Sequence, residues 1–203
     1  MYSVRQVILL SNSRLTQRAL ATSLKKLMNE LPLNKITVKH IVTDCQLNRK
    51  TFYYHFQDIY DLLGWIYQTE AVDAIAGDHS YYTWTNGFLK IFEYIQENRA
   101  FCLNTLHSLG RSHLDSYLYA VANPLIMGVV QELSCGMQVA EEDKRFLANF
   151  YTLAFTGLVI QWLLEGMKEP PDSIVRKLSK LLEGHFERAL LRYEHSPNTK
   201  LLP

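Results

Sequence analysis

Thr37 to Phe56 reads TVKHIVTDCQLNRKTFYYHF, and two short helical patterns meet in it at a tight turn. Thr37 stands where a cap belongs for a helix bearing Val38, Ile41 and Val42; Cys45-Gln46-Leu47 makes the turn, and Asn48 caps the helix that follows. That second helix carries Arg49, Lys50, Thr51, Tyr53, Tyr54 and His55 together. Such a layout is that of a helix-turn-helix whose second helix enters the DNA major groove.

Each of these residues has a chemical reason to be there. Helix N-termini present free backbone N–H groups and partial positive charge, so Thr37 and Asn48 sit where a phosphate binds and sets the docking register. Thr51, Tyr53 and His55 offer short-reach hydrogen bonds to phosphate, whereas Arg49, Lys50 and Tyr54 project from the first turns toward base edges. Arg49 is the strongest candidate for a guanine contact, because its fork pairs O6 and N7 together. Lys50 does the same or meets phosphate. Phe52 and Phe56, four apart, read as core anchors, and Cys45 reads as a small packed residue and not a redox sensor.

Outward from this motif the chain reads as all-α. Ser13 is placed to cap a helix from about Arg14 to Glu30, with Leu20, Leu24, Leu27 and Met28 at helical steps, and Leu31-Pro32 ends it. Asp58 caps a fourth helix through Leu62, Leu63 and Ile66 to about Ile75, which Gly77-Asp78-His79-Ser80 breaks. This gives an N-terminal arm (1–13), a three-helix helix-turn-helix domain with its following helix (14–76) and a second helical domain (77–203). In the second domain the expected helices are Trp84–Gln96, Phe101–Leu109 behind an Asn98 cap, His113–Leu133 with a kink or break near Asn123 before Pro124, Glu141–Glu165 stopped by Gly166, and Asp172–Tyr193 after Pro170-Pro171.

Composition narrows the class. Across 203 residues, 48% are hydrophobic, enough for a real core. Residues 1–70 hold nine Lys or Arg against five Asp or Glu, about +4, while the remainder holds twelve against fifteen, about −3. The basic excess therefore sits with the helix-turn-helix, as a phosphate reader requires. No apolar run is read as a membrane span or a secretory signal, so the expectation is a cytoplasmic protein without membrane contact. Cys45, Cys102 and Cys135 form an odd set without CxxC spacing, which indicates neither a disulfide framework nor a Cys-rich structural zinc site. There is no P-loop, GxGxxG, HExxH or nucleophile elbow, and nothing else points to an enzyme.

From Phe146 to Leu164 hardly any polar face remains, and a helix apolar all round must be buried all round. One subunit of this size rarely achieves that. With the last helix it is expected to pair with its copy across a twofold interface, using Phe150, Leu153, Gly157, Leu164, Ile174, Leu178 and Leu181; the alternative is a central core helix of a monomer.

The stretch Thr16 to Glu70 resembles the DNA-binding domain of the TetR family of transcriptional regulators. The family's threonine cap, isoleucine-alanine pair, small-Gly-Val-Ser turn and Thr-Leu-Tyr-x-His-Phe run are met by Thr37, Ile41-Val42, Cys45-Gln46-Leu47-Asn48 and Thr51-Phe52-Tyr53-Tyr54-His55-Phe56. Phe150 to Leu182, FYTLAFTGLVIQWLLEGMKEPPDSIVRKLSKLL, is similar to the C-terminal domain of a Firmicutes subgroup of regulators of dihydroxyacetone kinase operons. The resemblance implies a dimer on a near-palindromic operator, controlled by an effector in the C-terminal domain. Three positions depart from the pattern. Gln46 replaces a turn glycine and costs about 1 kcal/mol if held at positive φ; Lys50 replaces a frequent glycine or proline; Ile59 stands where many relatives place a phosphate-binding lysine. Loss of that contact leaves two expectations, weaker DNA binding or a shift of the contact to the N-terminal arm, where Arg5 and Arg14 are available.

No effector is named by the sequence. Tyr81, Tyr82, Trp84, Phe88, Phe92, Tyr94, Tyr117 and Tyr119 are aromatic in the region where the resemblance implies a pocket, with Trp84, Phe88, Phe92, His107 and Tyr117 as its candidates, although such stripes are usually core. Cys102, His107 and His113, near Asp115, Asp78 and His79, match no standard metal spacing, yet some relatives of the family respond to zinc, which makes a zinc effector a candidate. Small-molecule, metal and protein effectors all stay open, the last a homologue of a kinase subunit by the subgroup resemblance. The runner-up function is a helical interaction protein that keeps the fold, binds DNA weakly and works through a protein partner.

Overall fold

The computed structural model describes the backbone of residues 4–71, 80, 83–109 and 111–195 and the side chains of residues 13–70, 80, 83–108 and 114–194. Every regular element among them is helical. The chain forms two compact units, Met1–Thr69 with Asn98–Leu114, and Glu70–Glu97 with Asp115–Pro203. The composition break at Gly77 and these units do not coincide, because one later helix packs with the first unit.

That first unit holds α1 (Val4–Met28), a 3-10 turn (Leu33–Lys35), α2 (Val38–Asp44), α3 (Arg49–His55), α4 (Ile59–Ile66) and α6 (Arg99–Leu109). α1 starts at Val4, so Ser13 lies inside the helix and caps nothing. The reason is that no Pro or Gly stands between Val4 and Met28, and an isolated Ser-Asn-Ser is only mildly unfavourable within a helix. Leu20, Leu24 and Met28 line its buried face at four-residue steps, with Ser23 among them. The Ser23 hydroxyl donates to the Ile41 carbonyl at 3.0 Å, fastening α1 to the middle of α2. α4 continues as a π turn over Tyr67–Ala71, and residues 72–79, where it was expected to run on to Ile75, lie outside the described residues.

α6 is fastened to this unit by several side chains, Asn104 first among them. Asn104 Nδ2 donates to the Met28 and Leu31 carbonyls, both at 2.7 Å, and its Oδ1 accepts the Leu33 N–H at 2.9 Å. Carbonyls at a helix C-terminus have no partners within the helix, and here an amide supplies them. Tyr67 stacks obliquely on Phe101 and donates to Thr105 Oγ1 at 3.1 Å, closing the same seam.

In the second unit are α5 (Trp84–Glu97), most of α7 (Arg111–Leu133), α8 (Glu141–Leu164), α9 (Pro171–Leu182) and α10 (His185–His195). α7 runs unbroken through Pro124. Gly166, at φ +86°, ends α8 as expected. The single helix expected over Asp172–Tyr193 is two, because Glu183 leaves the helical region and Gly184 sits at φ +67°, where glycine alone is unstrained. By length and composition α8 is apolar enough to cross a membrane, against the reading that no run approached that length. Half of its most apolar window is buried inside the chain instead, with Phe155 stacked on Phe88 at 3.9 Å and Trp162 edge-on to Phe92 at 5.0 Å.

Candidate nucleic-acid interface and ligand cavity

Phe52 and Ile41 are fully buried, and Phe56 packs between Phe52 and Trp65. These anchors fix α3 and turn its other face outward: Arg49, Lys50, Tyr53 and Tyr54 are exposed. His55 is half-buried with its ring edge-on to Tyr54 at 4.9 Å. The turn that sets α3 against α2 closes through the Leu47 N–H, which donates to the Val42 carbonyl at 2.8 Å. It requires Gln46 at φ +55°, the strained position the missing glycine announced. Cys45 packs beneath it, its thiol donating to the Ile41 carbonyl at 3.2 Å, and burial pushes that thiol up from its ordinary value, away from reactivity.

Both caps form. Thr37 Oγ1 accepts the His40 N–H while His40 Nδ1 accepts the Thr37 N–H, each at 3.3 Å, a capping box with histidine in the place of glutamate. Asn48 Oδ1 accepts the Thr51 N–H at 2.8 Å and its hydroxyl at 3.1 Å. Thr51, read from sequence as a phosphate donor, thus already donates within the chain.

The start of α4 differs from the other two. Asp58 Oδ1 accepts the Asp61 N–H at 2.8 Å, and Asp61 Oδ2 accepts the Gln57 N–H at 2.9 Å. Two carboxylates occupy the helix N-terminus, with Ile59 half-buried between them, so a phosphate meets negative charge here instead of free amides. The Asp-x-x-Asp spacing announced this in the sequence, but only Asp58 was singled out. At the far side of the motif a hydrogen bond from Lys26 holds the Asp44 carboxyl below its ordinary range.

The second unit holds a cavity of about 390 Å³, within the size range of small-molecule sites. Of the expected pocket residues, Trp84 and Phe88 line it, and Phe150, Leu178 and Leu181, expected at a subunit interface, line it too. Phe92 is buried beside it against Phe155. Tyr117 is half-buried outside the lining, and His107 is exposed on α6 of the other unit. Tyr151, Phe155, His185 and Phe186 also form its wall; the i, i+4 spacing of Tyr151 and Phe155 was legible, but the α10 residues depended on the unforeseen break at Gly184.

Along α8, Phe146, Phe150, Leu153 and Leu164 are more than half exposed. With Gly157 their spacing of three, four and seven puts them on one stripe. A Cβ on Gly157 would meet nothing within 4 Å, so the backbone is open to close approach there. Ile174, by contrast, is buried within the chain.

Among the described residues no three His, Cys, Asp or Glu side chains gather as a metal site. Cys102 is buried and His107 exposed on the same helix; the side chain of His113, and Asp78, His79, Tyr81 and Tyr82 entirely, lie outside the described residues.

Comparisons with known proteins agree with this architecture. The TetR-type transcriptional regulator C-terminal region matches residues 82–184. The chain is 33% identical over 158 residues to the HTH-type dhaKLM operon transcriptional activator DhaS of Lactococcus lactis subsp. lactis (strain IL1403), covering 77% of this chain and 84% of that protein. The solved structure of a dihydroxyacetone kinase operon activator DhaS superposes with a TM-score of 0.68 at 21% identity, covering 85% of this chain and 97% of that one, which speaks to fold. With a helix-turn-helix whose reading face is exposed and a C-terminal region matched over half its length, this chain belongs to the TetR family of DNA-binding transcriptional regulators.

Proposed function

We propose that the protein reads a near-palindromic operator in the cytoplasm as a homodimer, with one α3 per half-site in successive major grooves, and that an effector in the second unit sets its affinity for DNA. The observation that carries this reading is the face of α3: four exposed side chains able to meet bases and phosphates, held by a buried Phe52 on the opposite side. Arg49 and Tyr54 address base edges; Thr37, Asn48, Lys50, Tyr53 and His55 address the backbone, and Thr51 orients Asn48. The apolar stripe of α8 supports twofold pairing, since it leaves large side chains in water that a second copy would cover. The name of the Lactococcus relative supports a target operon of the dihydroxyacetone kinase kind. No catalysis and no cofactor enter this reading.

A gel shift against the DNA upstream of the protein's own gene tests it, with half-sites expected about one helical turn, ~34 to 36 Å, or a multiple apart. The acidic start of α4 favours one competing reading, an interaction protein with weak DNA binding. No shift at low salt, where phosphate contacts are strongest, decides for that reading.

A further inference from the structure

We infer that the cavity of the second unit takes an uncharged, largely apolar molecule of about a dozen non-hydrogen atoms. This rests on the effector reading above and names the chemistry of its ligand. The size follows from the volume, about 390 Å³, at roughly 30 Å³ for each water-sized group. The apolar body follows from the walls. Phe88 stacks on Phe155, Trp84 stands edge-on to Phe88 at 5.3 Å, and Ile126 and Val129 of α7 complete an aliphatic and aromatic enclosure. Phe150, Leu158 and Leu181 are both cavity wall and exposed surface, so the way in is apolar as well.

The neutrality of the ligand follows from what the walls lack. Among the described residues the lining holds no Asp, Glu, Lys or Arg, so neither an anion nor a cation finds a carboxylate, ammonium or guanidinium there to pair with. An ion must leave water to enter, and without an opposite charge that loss is not recovered. Aromatic faces do attract a cation, yet the attraction restores only part of the hydration it gives up. The wall already acts on a group of its own in this sense: burial pushes the Tyr151 hydroxyl up from its ordinary value, against ionisation.

The polar side chains of the lining are Trp84, Tyr151 and His185. A tyrosine hydroxyl and a neutral imidazole each donate and accept, so they suit a hydroxyl, a carbonyl or an amide equally and call for no charge. Neither Tyr151 nor His185 makes a hydrogen bond to another described residue, which leaves both for one polar group on an otherwise apolar ligand.

The test is calorimetric titration of the full-length protein with decanol, decanoate, decylammonium and glucose, molecules of similar heavy-atom count that differ in charge and polarity. Gel shifts with and without decanol follow. Expected is saturable decanol binding at one per chain, decanoate and decylammonium each weaker by about tenfold or more, and no glucose binding. Ala154→Trp, which places a ring in the lining at an exposed position, weakens decanol by about tenfold or more. Either ion bound as tightly as decanol, or undiminished decanol binding by the folded Ala154→Trp variant, overturns the assignment. Decanol bound with DNA affinity unmoved upholds the site and removes the effector reading; intact DNA binding in a protein blind to decanol removes the site alone.

Discussion

The recognition helix α3 and the long helix α8 both turn aromatic residues to solvent, Tyr54 at 82% exposure and Phe146 at 62%, and their chemistry separates them. Each tyrosine of α3 carries a hydroxyl that water satisfies until a base or phosphate replaces it. The α8 stripe of Phe146, Phe150, Leu153 and Leu164 has no polar atom to offer, and its area in water costs about 25 cal/mol per Å². Exposure alone says nothing about a partner. What separates a nucleic-acid face from a protein face is whether the exposed group has a hydrogen bond to exchange, and charge points the same way, since Arg49 and Lys50 flank the tyrosines whereas the α8 stripe has only Gly157 and Gln161 between its apolar members.

Placing charge on the apolar side should break this contrast most severely. Phe146→Glu with Leu153→Glu is expected to convert a dimer to a monomer by light scattering at micromolar concentration, and to weaken operator binding by about a hundredfold or more as two linked heads become one. An unchanged mass would show that the stripe faces no copy of itself. On the polar side the effects are smaller and differ among themselves. Arg49→Ala should cost about 1 to 3 kcal/mol on the operator and relax preference at one base pair, while Tyr53→Phe, by fluorescence anisotropy, should weaken operator and random DNA alike. Equal losses on both DNAs for both variants would return Arg49 to the phosphates. The least effect is expected beneath the reading face: Gln46→Gly should relieve the left-handed backbone strain at φ +55° and raise stability by about 0.5 to 1 kcal/mol, a few degrees in melting temperature, with operator affinity held. A lower melting temperature would mean that the Gln46 side chain does something its backbone does not reveal.

The helix-turn-helix was legible because its signals are local. A cap, a turn and a four-residue spacing of Phe52 and Phe56 lie within twenty residues, and each has one physical meaning. The helical class of the second unit was legible for the same reason, through the periodicity of α5 and α8. Its cavity was not. Whether Phe88 stacks on Phe155 or Phe150 faces solvent depends on neighbours more than fifty residues away, which periodicity cannot register. The break between α9 and α10 escaped because Ile174, Leu178, Leu182, Phe186 and Leu190 keep an uninterrupted helical rhythm across Gly184, and a lone glycine was outweighed by it. The attachment of α6 to the first unit turned on Asn104 and on the contacts of Phe101 and Thr105 with Tyr67, which pair residues more than thirty positions apart.

That attachment bears on how such proteins can be cut and recombined. The polypeptide leaves the reading unit after Thr69, returns to it over Asn98–Leu114 and leaves again, so the unit is discontinuous in sequence. A graft that exchanges heads at residue 76 separates Asn104 from the Met28 and Leu31 carbonyls and the Leu33 amide, three backbone groups between α1 and α2 that it now satisfies. A transplantable head comprises two pieces of chain, and the second travels as an insert.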